Sequence, residues 1–379
     1  MHKFSTLGSF ALIVAILISS TSFAQSNGSS STATGFSRLM NPAISLNTLL
    51  LGEVSRDDSS PEANQFGLQE IELQFSSIVD PFWSADLIFA IHKEEAEHHE
   101  EGGEEEAEEG GHGGDYGLGV ERALVEYTNM PRGWGLEVGL NFVNFGKHMP
   151  LHSHQYAFVE GPIGVTAFAD EGNIVGTGAT LSWLVPLPWW SEIEGYVVNS
   201  SNELFAEENR DLVFGGRLNN LWDTSSFSTL EWGFSGLAGP APAPTTLAFL
   251  GDGSLLGTDL TWKWISKGRV DGPAINITGE ALWPGADAGD GTPVGYYGLA
   301  QYRFHPGWWL GLGASQAQDY AGAGSKANQY QSNLTYAPSE FSSVRLGVSY
   351  DEDVANNTHD LSARLQVNFT IGSHPAHAY

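Results

Sequence analysis

Between Leu68 and Phe369 the chain repeats one pattern: runs of about 9 to 12 residues of alternating polarity, separated in turn by a tight Pro/Gly/Asn/Asp connection and a longer loop. Successive strand side chains point to opposite faces, so each run offers one apolar and one polar side. In Leu68 to Ser76, Ile71, Leu73 and Phe75 share one face while Glu70, Glu72 and Gln74 share the other. The next run sets Trp83, Ala85, Leu87 and Phe89 against Ser84 and Asp86, with Ser77-Ile78-Val79-Asp80-Pro81 as the short connection. The same reading predicts strands over 43–52, 67–76, 83–91, 118–128, 135–145, 176–185, 190–199 and 211–219. A second set is predicted over 227–238, 255–264, 274–283, 293–304, 308–316, 328–337, 342–350 and 359–370. The pattern is the cumulative signature of an all-β, transmembrane antiparallel β-barrel of about 16 strands, whose even count puts both ends on the periplasmic side.

Length agrees with this reading. Residues 1–24 form a secretory leader: a Met-His-Lys start, an apolar run from Phe10 to Ile18, and Ser22-Phe23-Ala24 before Gln25. Removing 24 of 379 residues leaves 355, or roughly 22 per strand with its connection, enough for spanning strands of about 9 to 11 residues. Beyond the leader, no apolar run reaches the roughly 20 residues of a spanning helix. The expected organisation is a short segment over 25–42, a barrel over 43–371 and a periplasmic tail over 372–379. The barrel carries long loops over 92–115 and 145–173.

Charge placement bears on the same question. The formal net charge is −29, yet only 16% of residues are charged, against about 25% in soluble domains. On the predicted strands Arg122, Glu126, Glu137, Arg217, Glu231, Asp259, Lys263, Glu280, Arg303, Arg345 and Arg364 keep to the polar face. A lipid-facing Arg or Lys at mid-bilayer costs about 2 to 4 kcal/mol, so this segregation is what a membrane barrel requires. A secreted sandwich or propeller would show it too. Trp189, Trp190, Trp262, Trp264, Trp283, Trp308 and Trp309 lie near predicted turns, where aromatic girdles form, and favour the barrel. Outer-membrane lipid is therefore an expected partner and nucleic acid is not, since a strongly acidic chain repels polyanions.

Cysteine is absent, so thiolate ligation and cysteine nucleophiles are excluded and any metal must be held by His, Asp or Glu. Residues 92–115 hold His92, His98, His99 and His112 with Glu94, Glu95, Glu97, Glu100, Glu101, Glu104, Glu105, Glu106, Glu108, Glu109 and Asp115, against Lys93 alone. Such a stretch cannot bury enough apolar surface to fold and is expected to be a mobile extracellular loop. Imidazole with carboxylate suits Zn²⁺, and also Ni²⁺, Cu²⁺ or Co²⁺, with His92, His98, His99, His112, Glu95 and Glu101 as candidate ligands. The plainer alternative is a solvated acidic loop.

A second group, His148, His152 and His154, lies in the 145–173 connection, which is long enough to fold inward and narrow a pore. With Glu160 or Asp170 these histidines would form a constriction site for a divalent cation; otherwise the loop packs on the wall. A third group, His374-Pro375-Ala376-His377, sits at the terminus, where order is often lost. His305 and His359 stand alone and are expected to be structural. There is no Gly-x-Ser-x-Gly elbow, His-Glu-x-x-His helix, phosphate loop or dinucleotide turn, so no enzyme is expected and no cofactor is required. The same-face pairs Glu70/Glu72 and Glu192/Glu194 suit ion selectivity.

Several segments resemble a known family: Asn41-Pro42-Ala43-Ile44-Ser45, Gly67-Leu68-Gln69-Glu70, the Val79-Asp80-Pro81 turn, the acidic His-rich insert and His152-x-His154. Pro338-Ser339-Glu340-Phe341-Ser342 with Arg345-Leu346, and the terminal His-Pro-Ala-His, complete the set. They look like the bacterial outer-membrane proteins labelled zinc-regulated TonB-dependent outer-membrane receptors, distantly similar to phosphate-selective porins. The final strand, with Leu361, Ala363, Leu365, Val367 and Phe369 on one face, resembles the aromatic-ending strand read by barrel assembly machinery. A TonB-dependent transporter has a plugged barrel of 22 strands, which 355 residues cannot contain, so the expectation is a porin-like, unplugged barrel in the cell outer membrane of a Gram-negative bacterium. The predicted function is a channel for small hydrophilic solutes or cations, with the His/Glu-rich loop capturing divalent metal, zinc foremost, as a bound or transported ion; a homotrimer is expected by analogy with sixteen-stranded porins. The competing classes are a non-transporting metal-buffering or surface-interaction barrel, and a barrel enzyme.

Overall fold

The structure, a computed structural model, describes residues 42–56, 64–93, 116–169, 172–199, 205, 212–240, 253–267, 271–285, 293–321 and 324–372. It is a barrel of sixteen antiparallel strands, each bonded to its chain neighbours and β1 closing on β16. The strands begin with β1 (Ala43–Ser55), β2 (Phe66–Ile78), β3 (Trp83–Lys93), β4 (Tyr116–Tyr127), β5 (Trp134–Phe142) and β6 (Val175–Leu184). They continue with β7 (Trp190–Asn199), β8 (Leu212–Ser225), β9 (Ser228–Ala238), β10 (Ser254–Ile265) and β11 (Ala274–Pro284). The last are β12 (Val294–His305), β13 (Trp308–Gln318), β14 (Lys326–Ser339), β15 (Ser342–Asp353) and β16 (Thr358–Gly372). Closure runs from Ser45 opposite Gly372 to Ser55 opposite Ser362, so no edge is left to present unpaired backbone groups to lipid.

Alternation sorts the side chains as the sequence demands. On the outer face Leu181, Ile193, Phe214, Leu218, Phe234, Leu260, Ile277, Leu312, Leu334 and Val348 are exposed, forming the apolar belt that lipid covers. Aromatic pairs ring the short-hairpin end: Trp134 stacks on Trp183, Trp83 leans on Tyr127, and Trp308 on Tyr336. Trp309 departs from the expected girdle. It lies opposite Arg303 in the ladder, on the inner face, with the guanidinium 5.2 Å from its ring centroid.

The inner face carries charge and pairs it. Arg217 on β8 donates two hydrogen bonds to Asp259 on β10, at 2.8 and 3.0 Å, and a third to Ser235 on β9 at 2.8 Å. Both charged side chains are almost wholly buried. Removing one partner of a buried pair leaves the other uncompensated. Arg217→Met is therefore expected to lower the unfolding free energy of the refolded barrel by about 3 to 5 kcal/mol, read from urea titrations in detergent or lipid.

Candidate functional site

The segment from Val143 to Ile174, between β5 and β6, folds into the lumen. An apolar contact area drives this: Val143, Phe145, Met149, Val165, Phe168 and Ile174 pack against Val198, Val213, Leu237, Leu255, Leu282 and Tyr297 from the inner faces of β7 to β12. Room is made by glycines. A Cβ at Gly257 would lie 2.7 Å from the Phe145 ring, and one at Gly295 would lie 1.8 Å from the Gly164 carbonyl oxygen. Gly164 belongs to a single helical turn, α1 (Ile163–Thr166).

Polar ties then fix the register. Glu280 accepts hydrogen bonds from the N–H groups of Lys147 and His148 and from the Tyr297 hydroxyl. Lys147 Nζ lies 2.6 Å from Glu231. At the far side Arg345 donates to the Phe158 carbonyl, and Arg364 bridges Glu53 and Glu160. A loop held to opposite walls by charged groups spans the barrel rather than lying on one side.

In the middle of this segment a 3₁₀ turn, Ser153–Gln155, is closed by Gln155, whose side chain accepts from the His152 N–H. The turn sends both neighbouring imidazoles to the wall formed by β2 and β4. His154 Nδ1 lies 2.8 Å from Glu72 Oε1, and His152 Nδ1 lies 2.9 Å from Glu121 Oε2 and 3.6 Å from Glu72 Oε1. The two rings stack at 5.8 Å, and Ser153 Oγ donates to Glu70. Among the described residues no Lys or Arg forms an ion pair with Glu70, Glu72 or Glu121. Burial opposes a charge on His152, but its bond to Glu121 and the charges of Glu72, Glu121 and Glu70 outweigh burial and raise its pKa.

Three cavities line up past this cluster. The first, about 660 Å³, opens at the mouth beside Gln65 and His92 and reaches Glu70, Glu121, Phe142 and His152. The second, about 340 Å³, shares Phe142 and His152 with the first and adds Glu137, Asn144 and Glu194. The third, about 510 Å³, shares Arg122, Leu124 and Glu137 with the second and reaches Asp86, Glu126 and Ile78 near the short-hairpin end. The apolar packing occupies the β7 to β12 side, so the passage is eccentric, running along β2 to β7, and His152 stands where the first two cavities meet.

The predicted residues divide accordingly. His152 and His154 come together, but with Glu70, Glu72 and Glu121 rather than Glu160 or Asp170: Glu160 pairs with Arg364, and Asp170 lies outside the described residues. His148 does not join them. Its ring packs 4.4 Å from that of Tyr156, and its Nε2 is buried without a hydrogen-bond partner. His92 faces Glu70 across the β2–β3 ladder and lines the mouth cavity. His98, His99, His112, Glu95 and Glu101, like the leader and the terminal His-Pro-Ala-His, lie outside the described residues.

Glu121 was not legible as a partner of His152, because alternation gives Glu121 and Arg122 opposite faces. The β3–β4 ladder shifts between Ile88 and Phe89: Ile88 faces Arg122 and Phe89 faces Val120, so Glu121 is the extra residue of a bulge. Two adjacent charges in a spanning strand were the signal, since a carboxylate cannot sit comfortably toward lipid.

No protein-family profile matches the sequence. An uncharacterized protein of Aquifex aeolicus (strain VF5) is 25% identical over 306 residues, covering 69% of this chain; the chain spans 64% of that protein's length. The high-pH structure of Pseudomonas putida OprB is similar with a TM-score of 0.57 at 9% identity, over 87% of this chain and 94% of that one. An anion-selective porin from Comamonas acidovorans gives 0.55 at 10% identity, over 87% and 100%. The fold is thus that of porin-like outer-membrane β-barrels. Nothing in it supports the TonB-dependent part of the resembling label: among the described residues there is no separate plug domain, and the lumen is entered by the chain's own loop.

Desolvation lowers the His148 pKa to about 3. Folded His148 then stays neutral while its unfolded counterpart takes up a proton below about 6.5, so its contribution to stability is lost as pH falls from there toward 3. Comparing unfolding free energies of the wild type and His148→Leu should show the wild type losing about 1.4 kcal/mol per pH unit relative to the variant between roughly pH 6 and 4. A difference independent of pH would remove His148 from the acid response.

Proposed function

We propose that the protein is a cation-preferring outer-membrane channel for small hydrophilic solutes or ions, and that its mouth gathers divalent metal, zinc foremost. The observation that carries this reading is the lining of the eccentric passage, where the acids Glu70, Glu121, Glu137, Glu194, Glu126 and Asp86 outnumber the bases Arg122 and Arg364. Acidic groups in a narrow, low-dielectric path attract cations and repel anions. The similar Comamonas porin is anion-selective, so a shared barrel does not fix the sign of selectivity; the lining does. The acidic stretch follows His92 in the sequence, and His92 lines the mouth cavity, which supports a collecting role for the stretch. A homotrimer belongs to the same proposal by analogy of strand number.

A second reading, a non-transporting metal-buffering barrel, draws on the apolar packing that fills part of the lumen. An enzyme is less well supported: the Ser153 hydroxyl is bonded to Glu70 and not to an imidazole.

Planar-bilayer recordings under a KCl gradient decide between them. The expected reversal potential has the sign of cation preference, and Glu137→Gln with Glu194→Gln should reduce the K⁺ to Cl⁻ permeability ratio severalfold. Anion preference overturns the selectivity, and zinc binding without any conductance favours the buffering barrel. Deletion of residues 94–115 should remove the weaker, multiple zinc sites seen by calorimetry.

A further inference from the structure

Five side chains from three parts of the chain meet beside the junction of the first two cavities: Glu70 and Glu72 from β2, Glu121 from the β4 bulge, and His152 and His154 from the inward loop. They form two overlapping triads, Glu70/Glu72/His154 and Glu72/Glu121/His152, within each of which one donor atom per residue lies within 4.8 Å of the others. The measured separations of 2.8 to 3.6 Å bracket the roughly 3.3 Å between ligand atoms placed about 2.0 to 2.1 Å from a tetrahedral ion. Mixed imidazole and carboxylate donors suit a borderline divalent transition metal.

A second observation points the same way. Glu70 is 9% exposed, and its Oε1 is buried without a hydrogen-bond partner although Ser153 satisfies the other oxygen. Glu70 and Glu72 are buried and Glu121 is half-buried, and among the described residues only imidazoles, not Lys or Arg, pair with them, so a bound cation would offset charge that is costly to bury.

We propose that Glu72, Glu121, His152 and His154, backed by Glu70, form a divalent transition-metal site that fastens the loop to the barrel wall and narrows the passage when occupied. The inference rests on the channel reading and adds its regulator. Two ligands come from the loop and the others from the wall, so a bound ion ties together the two surfaces that define the opening. Of the ligands, His152 lines both of the first two cavities and Glu121 the first, so the ion would sit beside the junction through which a monovalent cation passes.

The test uses the refolded barrel lacking residues 94–115, which leaves the acidic stretch out of the measurement. Calorimetry with Zn²⁺ alone should give one site per chain, with Mg²⁺ at least a hundredfold weaker. Glu72→Gln and His154→Gln, both close in shape to the originals, should each weaken zinc at least tenfold, with folding checked by circular dichroism and heat-modifiable migration. His305→Ala, at an exposed turn, should leave it unchanged. In bilayers Zn²⁺ should reduce K⁺ conductance of the parent and not of Glu72→Gln. Absence of zinc binding, or equal affinity in parent and both variants, overturns the site. Binding without an effect on conductance overturns its regulatory role. If the barrel binds zinc as described but never conducts, the channel reading fails and the site stands; if it conducts and zinc neither binds nor blocks, the reverse holds.

Discussion

Closure of the β1–β16 seam is the constraint from which the remaining features follow. Once the sheet has no edge, every strand residue belongs either to the lipid face or to the lumen, and each face has its own electrostatic rule. Outside, Leu, Ile, Val, Phe and Trp are left exposed to a solvent that is itself apolar. Inside, a charge is tolerated only if it meets water or a partner. Arg217 with Asp259, Arg364 with Glu53 and Glu160, and Lys147 with Glu231 are the partnered cases. The cluster around Glu72 is where, among the described residues, acids accumulate beside imidazoles and without an ion pair to Lys or Arg. Low overall charge and a large negative net charge are therefore compatible, because the neutral area is a membrane surface and the acidic area is not.

The inward loop exploits a second consequence of closure. A sixteen-stranded lumen is too wide for wall side chains to meet across it, so something must cross it if the passage is to be narrow. Here the loop spends its apolar residues on one side, against Val213, Leu237, Leu255 and Leu282, and its imidazoles on the other. Lumen positions on β7 to β12 are apolar near the mouth for this reason, which breaks the simple rule that the interior of a channel is polar. The asymmetry of the passage is thus set by which strands carry Leu and Val on their inner parity.

The strands and their faces were legible because a period of two repeats sixteen times and the cost of error is high at every turn of the pattern. The predicted strand over 274–283 becomes Ala274–Pro284, and that over 342–350 becomes Ser342–Asp353. The largest departures have local causes. The strand predicted to reach residue 145 stops at Phe142, because Val143 and Phe145 are apolar toward the loop core rather than toward lipid. β8 runs to Ser225, beyond the expected 219, because Asn219 and Asp223 keep the polar parity as far as the Thr224 to Ser228 turn. That His152 and His154 come near one another was readable from their place in one inward loop; their partners were not, since Glu70 and Glu72 lie 80 or more positions away and Glu121 is exposed to them only by a bulge. His148 shares their chemistry and not their place, and only packing against Tyr156 distinguishes it.

The closeness in fold to an anion-selective porin sharpens what the lining must accomplish. Selectivity in such a barrel is a difference between the energies of opposite ions in the same narrow space, and that difference grows as water is excluded and the effective dielectric falls. The loop lowers the dielectric by filling the β7 to β12 side of the lumen with apolar side chains, and the acids on β2, β4, β5 and β7 act on what remains. Neither element would suffice alone: acids around a wide aqueous pore are screened within about 8 to 10 Å, and an apolar constriction without acids excludes both ions. Their coincidence along one wall, with His152 where the first two cavities meet, is what the proposed cation preference rests on in a fold shared with an anion-selective porin.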